Sequence, residues 1–217
     1  MVSHTLSNFD RDLNGIRTEL NAMAENVQFQ CQQALQALLN HDASIAEAVV
    51  AKDTLTNQSL KKIEGHSTNV LARQQAVADD LRFILCSMRI APHLERIGDY
   101  AKSTALKSEH FPNGLPAQWR EKLERMQRHL LTMFDHVMQS YNSKNLAQAG
   151  VVFEGDDTLD VYYQDIYISL IDTIQQGQGS SKQWVELLFI AKNFERAGDH
   201  VKDISRDVQF MIRGHLT

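Results

Sequence analysis

The chain repeats itself, and this constrains its fold more than any other feature. Residues 89–105 read RIAPHLERIGDYAKSTA, and residues 189–205 read FIAKNFERAGDHVKDIS. Two further blocks precede these in the same order, VVAKDTLTN at 49–57 and VVFEGDDTLD at 151–160. Because both blocks recur in order, the sequence predicts a duplication of one structural unit.

Each unit is predicted to be helical. The 217 residues include only 10 Gly and 3 Pro, too few turn residues for a sandwich or barrel. Apolar residues follow the 3-4 spacing of buried helical stripes, in segments long enough for helices of about 25–30 residues. We therefore expect an all-α fold of six long antiparallel helices in two tandem three-helix bundles. The first covers residues 1–110 and the second residues 118–217, joined by a linker at 111–117 that carries two of the prolines.

Charge and hydropathy exclude several classes of function. The formal net charge of −5 argues against a nucleic-acid groove, which needs a basic surface. No apolar run approaches the roughly 18 residues of a membrane span, and the amino terminus has no secretory pattern. We therefore expect a cytoplasmic protein with no nucleic-acid partner and no membrane insertion. Cys31 and Cys86 are isolated, which favours buried small hydrophobes over a disulfide or a reactive thiol.

The repeated block contains a pair of acidic residues four positions apart. Glu95 and Asp99 form the pair in the first copy, and Glu195 and Asp199 form it in the second. Like charges at this spacing cost a helix a few tenths of a kcal/mol, and the glycine preceding each Asp costs roughly 1 kcal/mol more. A bound cation would remove the repulsion between the two carboxylates, because both would coordinate it. The alternative is a solvated acidic face that binds nothing.

The upstream blocks supply a second pair at the same spacing. Asp156 and Asp160 align with Asp53 and Asn57, so the first unit has one carboxylate fewer and is expected to bind a cation more weakly. Oxygen ligands without cysteine suit Mg²⁺, Ca²⁺, Mn²⁺ or iron. His93 and His200 flank the acidic motifs within the repeated block, and they either add a nitrogen ligand or lie on the surface.

With these motifs, the chain resembles the PhoU family of phosphate-signalling accessory proteins. The similarity covers nearly the whole chain, including the amino-terminal HTLSNFDRDLNGI and the two copies LERIGDYAKS and FERAGDHVKD. It implies stacked three-helix bundles that bind multinuclear iron or zinc clusters at the surface. The metal ligands implied by position are Asp53, Glu95 and Asp99 in the first unit, and Asp156, Asp160, Glu195 and Asp199 in the second. This sequence departs from the family pattern at Asn57, where an acid is expected, and at Ser103 and Asp203, where Asn is frequent.

The resemblance also implies a role. Such a protein acts as a negative regulator of phosphate uptake and of the phosphate-starvation response. It does so through contacts with the ATPase component of the phosphate ABC transporter and with the sensor histidine kinase, and it forms homodimers or larger assemblies. No Gly-rich phosphate loop or nucleophile elbow occurs, so we expect no enzyme activity and no catalytic residue. Two alternatives stay open: a carboxylate-bridged dimetal enzyme of the phosphohydrolase kind, and a plain helical adaptor without metal.

Overall fold

The computed structural model describes the backbone of residues 2–215 and the side chains of residues 8–215. Within this part of the chain the fold is all-α, with no strand, as the sequence predicts. The six helices are α1 (Val2–Asn40), α2 (Ala43–Arg73), α3 (Ala78–Leu106), α4 (Ala117–Ser143), α5 (Leu146–Gln175) and α6 (Ser181–Arg213). Helices α1–α3 form one bundle and α4–α6 form the other.

Short polar turns separate the helices within each bundle. Asp42 caps α2, its Oδ1 accepting hydrogen bonds from the backbone N–H groups of Ser44 at 2.8 Å and Ile45 at 3.3 Å. Asn145 caps α5 in the same way, since its Oδ1 accepts a bond from the N–H of Ala147 at 3.0 Å. These side chains satisfy backbone donors that the helix leaves unpaired, and this fixes where each helix begins.

The core consists of the predicted apolar stripes. In α6 the apolar residues at 3-4 spacing are all buried, namely Leu187, Ile190, Phe194, Ala197, Val201, Ile204, Val208 and Met211. Cys31 and Cys86 are free and buried, as expected of small hydrophobes. The segment between the bundles contains a 3₁₀ turn at Lys107–His110 and two buried apolar side chains, Phe111 and Leu115. None of the helices within residues 2–215 is long and apolar enough to cross a membrane.

The two bundles pack mainly through α3 and α6, which run antiparallel. The thiol of Cys86 donates to the carbonyl of Asp207 at 3.2 Å near one end of the contact. Near the other end, Lys107 Nζ lies 2.5 Å from Glu186 Oε2. Helices α3 and α6 face each other with one side, and with another side they face α2 and α5, respectively. Each helix therefore carries residues at the contact between the bundles and residues at a contact within its own bundle.

Candidate metal sites

The structure brings the predicted ligands of the first unit together at the contact between α2 and α3. We call Asp53, Glu95 and Asp99 the first acidic cluster. Asp53 is buried on α2, and its Oδ2 accepts a hydrogen bond from Lys102 Nζ at 2.7 Å. The same ammonium lies 3.6 Å from Asp99 Oδ1. Lys102 therefore stands between the carboxylates of Asp53 and Asp99.

The second unit repeats this arrangement between α5 and α6. We call Asp156, Asp160, Glu195 and Asp199 the second acidic cluster. Asp156 is buried, and its Oδ2 accepts a hydrogen bond from Lys202. The carboxylates of the two helices lie close enough to affect one another's charge: Asp156 and Asp199 act on Asp160, and Glu195 and Asp156 act on Asp199. Sequence spacing could not show that the two helices bring these pairs together, and the structure does.

Burial and the neighbouring carboxylates raise the pKa of several acidic side chains in the two clusters. Burial, and then the charge of Asp156 and Asp199, raises the pKa of Asp160. The pKa of Asp199 is raised by burial and then by Glu195 and Asp156. In the first cluster, burial and then Asp99 raise the pKa of Glu95. Each of these carboxylates is thus less stable as an anion than in water, and a nearby cation would relieve that cost.

The glycine of the repeated block allows the close approach of the helices. A Cβ atom on Gly198 would lie 2.2 Å from Leu159 Cδ2 and 3.8 Å from Asp156 Oδ1. In the first unit a Cβ on Gly98 would lie 3.5 Å from Thr56 Cγ2, an ordinary van der Waals distance, so the packing there does not require glycine. Glycine therefore lets α6 approach α5 closely beside Asp156, which explains its place inside a helix despite its low helix propensity.

The donor atoms of both clusters fit a hard cation. Each cluster offers only carboxylate oxygens, the ligands that Mg²⁺, Mn²⁺ and iron accept. Two oxygens are buried and receive no hydrogen bond from the described residues, namely Asp53 Oδ1 and Glu195 Oε2. Such unsatisfied acceptors are costly in a folded protein and fit a missing positive partner. Lys102 and Lys202 already bind the other oxygen of each buried Asp, so a metal ion would have to compete with them.

The two clusters differ in charge. The first sets three carboxylates against Lys102 and against Arg96, which lies 3.6 Å from Glu95 and 3.5 Å from Asp99. The second sets four carboxylates against Lys202 and against Lys192, which binds Glu195. In the first cluster Asn57 replaces the fourth acid and donates to Asp53 Oδ2 at 3.3 Å. The second cluster thus retains more negative charge and is the stronger candidate for a cation.

His93 and His200 belong to neither acidic cluster. Their Nδ1 atoms face each other at 2.9 Å across the contact between α3 and α6, and both side chains are partly buried. The lysines of the clusters were not among the predicted site residues. The repeat contains the signal for them, because Lys102 and Lys202 occupy the same position in both copies.

Residues 20–107 and 123–208 each match the PhoU domain family model. A phosphate-specific transport system accessory protein PhoU homolog of Rhizobium meliloti (strain 1021) is 29% identical over 213 residues, covering 98% of this chain and 90% of the relative. Another, of Xylella fastidiosa (strain 9a5c), is 30% identical over 211 residues, covering 97% and 89%.

Two crystal structures have the same fold. PhoU from Pseudomonas aeruginosa superposes with a TM-score of 0.90 at 25% identity, over 95% of this chain and 100% of the other. The phosphate transport system regulatory protein PhoU from Streptococcus pneumoniae gives a TM-score of 0.88 at 25% identity, over 96% and 99%. The similarity extends over both bundles.

Proposed function

This chain belongs to the PhoU family, and from that premise we propose that it is a metal-binding negative regulator of phosphate uptake and of the phosphate-starvation response. The relatives are named as accessory proteins of phosphate-specific transport. In this proposal the chain works in the cytoplasm, without catalysis, through contacts with the transporter ATPase component and the sensor histidine kinase, and it forms homo-oligomers.

The observation that supports metal binding is the convergence of carboxylates from two helices at equivalent places in both units. Asp156 and Asp160 approach from α5, and Glu195 and Asp199 approach from α6. A bound iron, zinc, manganese, magnesium or calcium ion would supply positive charge that links the two helices. The carboxylates of the chain would hold it, and the flexible Lys202 would turn outward to solvent. In this way metal binding would fix the outer faces that meet the partners.

A plain adaptor without metal is the second candidate, and a specific observation favours it. In each unit the buried Asp is already neutralised by a lysine of the same bundle, Asp53 by Lys102 and Asp156 by Lys202. If these ion pairs persist in the cell, the clusters stabilise the bundles and take no ion. The dimetal enzyme has weaker support, because the relatives are named as accessory or regulatory proteins.

The regulatory role is tested in cells by Asp199→Ala. In phosphate-rich medium we expect phosphate-starvation genes to be expressed at about the level of a strain without the protein, because the second acidic cluster loses one of its four carboxylates. Asp157→Ala is the matched control, since Asp157 is exposed on α5, and we expect normal repression with it. Reporter expression is the measurement.

The outcomes separate metal binding from signalling. Normal repression with Asp199→Ala, in protein shown to have lost its metal, would contradict a metal-dependent regulator and support the plain adaptor. Normal repression in a strain lacking the whole chain would contradict the regulatory role itself.

A further inference from the structure

Three potential metal ligands meet at the contact between the two bundles. His93 comes from α3, and His200 and Asp203 come from α6. One ligand atom of each lies within 4.8 Å of the others, and all three side chains are partly buried. The acidic clusters lie instead between helices of the same bundle, so this group, which we call the histidine cluster, is a separate feature.

We propose that His93, His200 and Asp203 form a binding site for a zinc-class divalent ion that joins the two bundles. Two imidazoles and one carboxylate are a ligand set that zinc accepts, with water in the fourth position. At Zn–N distances of about 2.0–2.1 Å, two ligands of a tetrahedral ion lie about 3.3 Å apart. The two Nδ1 atoms are 2.9 Å apart, so small side-chain movements would admit the ion.

A second carboxylate supports this geometry. Asp207 is buried on α6, and its Oδ2 lies 3.9 Å from His93 Nε2. Metal-binding histidines commonly direct the other ring N–H at a carboxylate, which orients the ring and leaves the first nitrogen free to coordinate. Arg89, whose guanidinium lies 2.6 Å from Asp207 Oδ1, holds this carboxylate in place. Asp207 is therefore placed as the outer partner of His93, and a shift of about 1 Å would close a hydrogen bond between them.

The third ligand, Asp203, has a competing partner. Asp203 is at present bound by Arg206, with 2.5 Å between Oδ1 and the guanidinium. Because the Arg206 side chain is half exposed, it can release Asp203 by turning into solvent.

The duplication provides an internal comparison. Helices α3 and α6 occupy equivalent positions in the two repeats and pack antiparallel. The contact between them therefore contains a second location, built from the equivalent residues of the opposite repeat. The exchanged positions are Asn193 for His93, Tyr100 for His200 and Ser103 for Asp203. There Asn193 Nδ2 donates to Ser103 Oγ at 3.2 Å, with no ionisable ligand set. Packing of the two bundles thus does not demand histidine or aspartate, and the cluster occurs in one half only.

The test uses Co²⁺, which replaces zinc and absorbs strongly in the visible region when its coordination is tetrahedral. Added to the metal-free full-length chain, Co²⁺ should produce a tetrahedral spectrum that Zn²⁺ abolishes. His93→Asn and His200→Tyr introduce the residues of the equivalent positions, so both variants should fold. In each we expect loss of the spectrum and an affinity for Co²⁺ at least about tenfold weaker. Asp157→Asn is the control and should keep the spectrum, because Asp157 is exposed on α5 and belongs to none of the three clusters.

Two results would overturn the proposal. One is a wild-type spectrum typical of octahedral oxygen coordination only, and the other is a tetrahedral spectrum that survives His93→Asn. Circular dichroism and thermal unfolding without metal establish that the variants are folded. If His93→Asn does not fold, Asp203→Ser provides the same test, since serine occupies the equivalent position 103.

Discussion

Lys202→Met should destabilise the metal-free protein by about 3–5 kcal/mol, the cost of leaving a buried charge without its partner. The Asp156 side chain is only 3% exposed and Lys202 is 25% exposed, so solvent cannot replace the lost ammonium. The hydrogen bond to Asp156 raises the pKa of Lys202, so the ammonium stays charged at neutral pH. Urea unfolding in the presence of a chelator measures the loss.

A divalent ion should reverse much of this loss. Without Lys202, the second acidic cluster has a vacant position for a cation, so Mn²⁺ should restore stability and bind more tightly than in the wild type. Lys182→Met is the control, because Lys182 is exposed on the same helix, and its effect should stay within about 0.5 kcal/mol. A loss below that limit for Lys202→Met, with no gain from Mn²⁺, would show that this lysine does not compete for a metal position.

The second large effect is expected on metal affinity. The double variant Glu195→Gln, Asp199→Asn should bind Mn²⁺ at least about a hundredfold more weakly, because both α6 carboxylates become neutral amides of nearly the same size. Isothermal titration against metal-free protein measures this. Glu154→Gln, Asp157→Asn removes the same charge from exposed positions of α5 and should leave the affinity unchanged. An unchanged affinity in the α6 variant would exclude these two side chains as ligands.

Much of the fold follows from local sequence. The 3-4 apolar spacing of α6 predicts the stripe that faces its own bundle, and all of that stripe is buried. It does not predict that Ala191, Ser205 and Asp207 are buried too, because α6 also packs against α3 of the other bundle. The break after Asn40 is also predictable, since Asp42 is a strong helix cap. The family resemblance, drawn from the two acidic blocks, is confirmed by the match of both units to the PhoU domain.

The site is only partly predictable. Spacing places Glu195 and Asp199 on one face, but their approach to Asp156 depends on how closely α6 packs against α5 at Gly198. The identity of Lys102 and Lys202 in the two copies is visible in the sequence, whereas their bonds to buried carboxylates require the packed bundle. The boundaries proposed for the two units and the linker at 111–117 stay predictions.

The histidine cluster is harder to predict from the sequence than the acidic clusters. His93 and His200 are 107 residues apart in the chain, and they meet only because α3 and α6 pack antiparallel between the bundles. Helical periodicity describes one helix at a time and carries no information about that contact. The local sign of the cluster is its departure from the repeat, with His93 opposite Asn193 and His200 opposite Tyr100 in the alignment.

Anomalous diffraction at the manganese, iron and zinc absorption edges is the most direct test of metal binding by the acidic clusters. Crystals should come from protein purified without a metal-affinity tag and soaked in each ion. We predict a peak within about 2.0–2.6 Å of carboxylate oxygens of the second acidic cluster, with Lys202 turned away from Asp156, and a weaker peak at the first. No peak at either cluster, with Lys102 and Lys202 still bound to Asp53 and Asp156, would contradict metal binding by the acidic clusters.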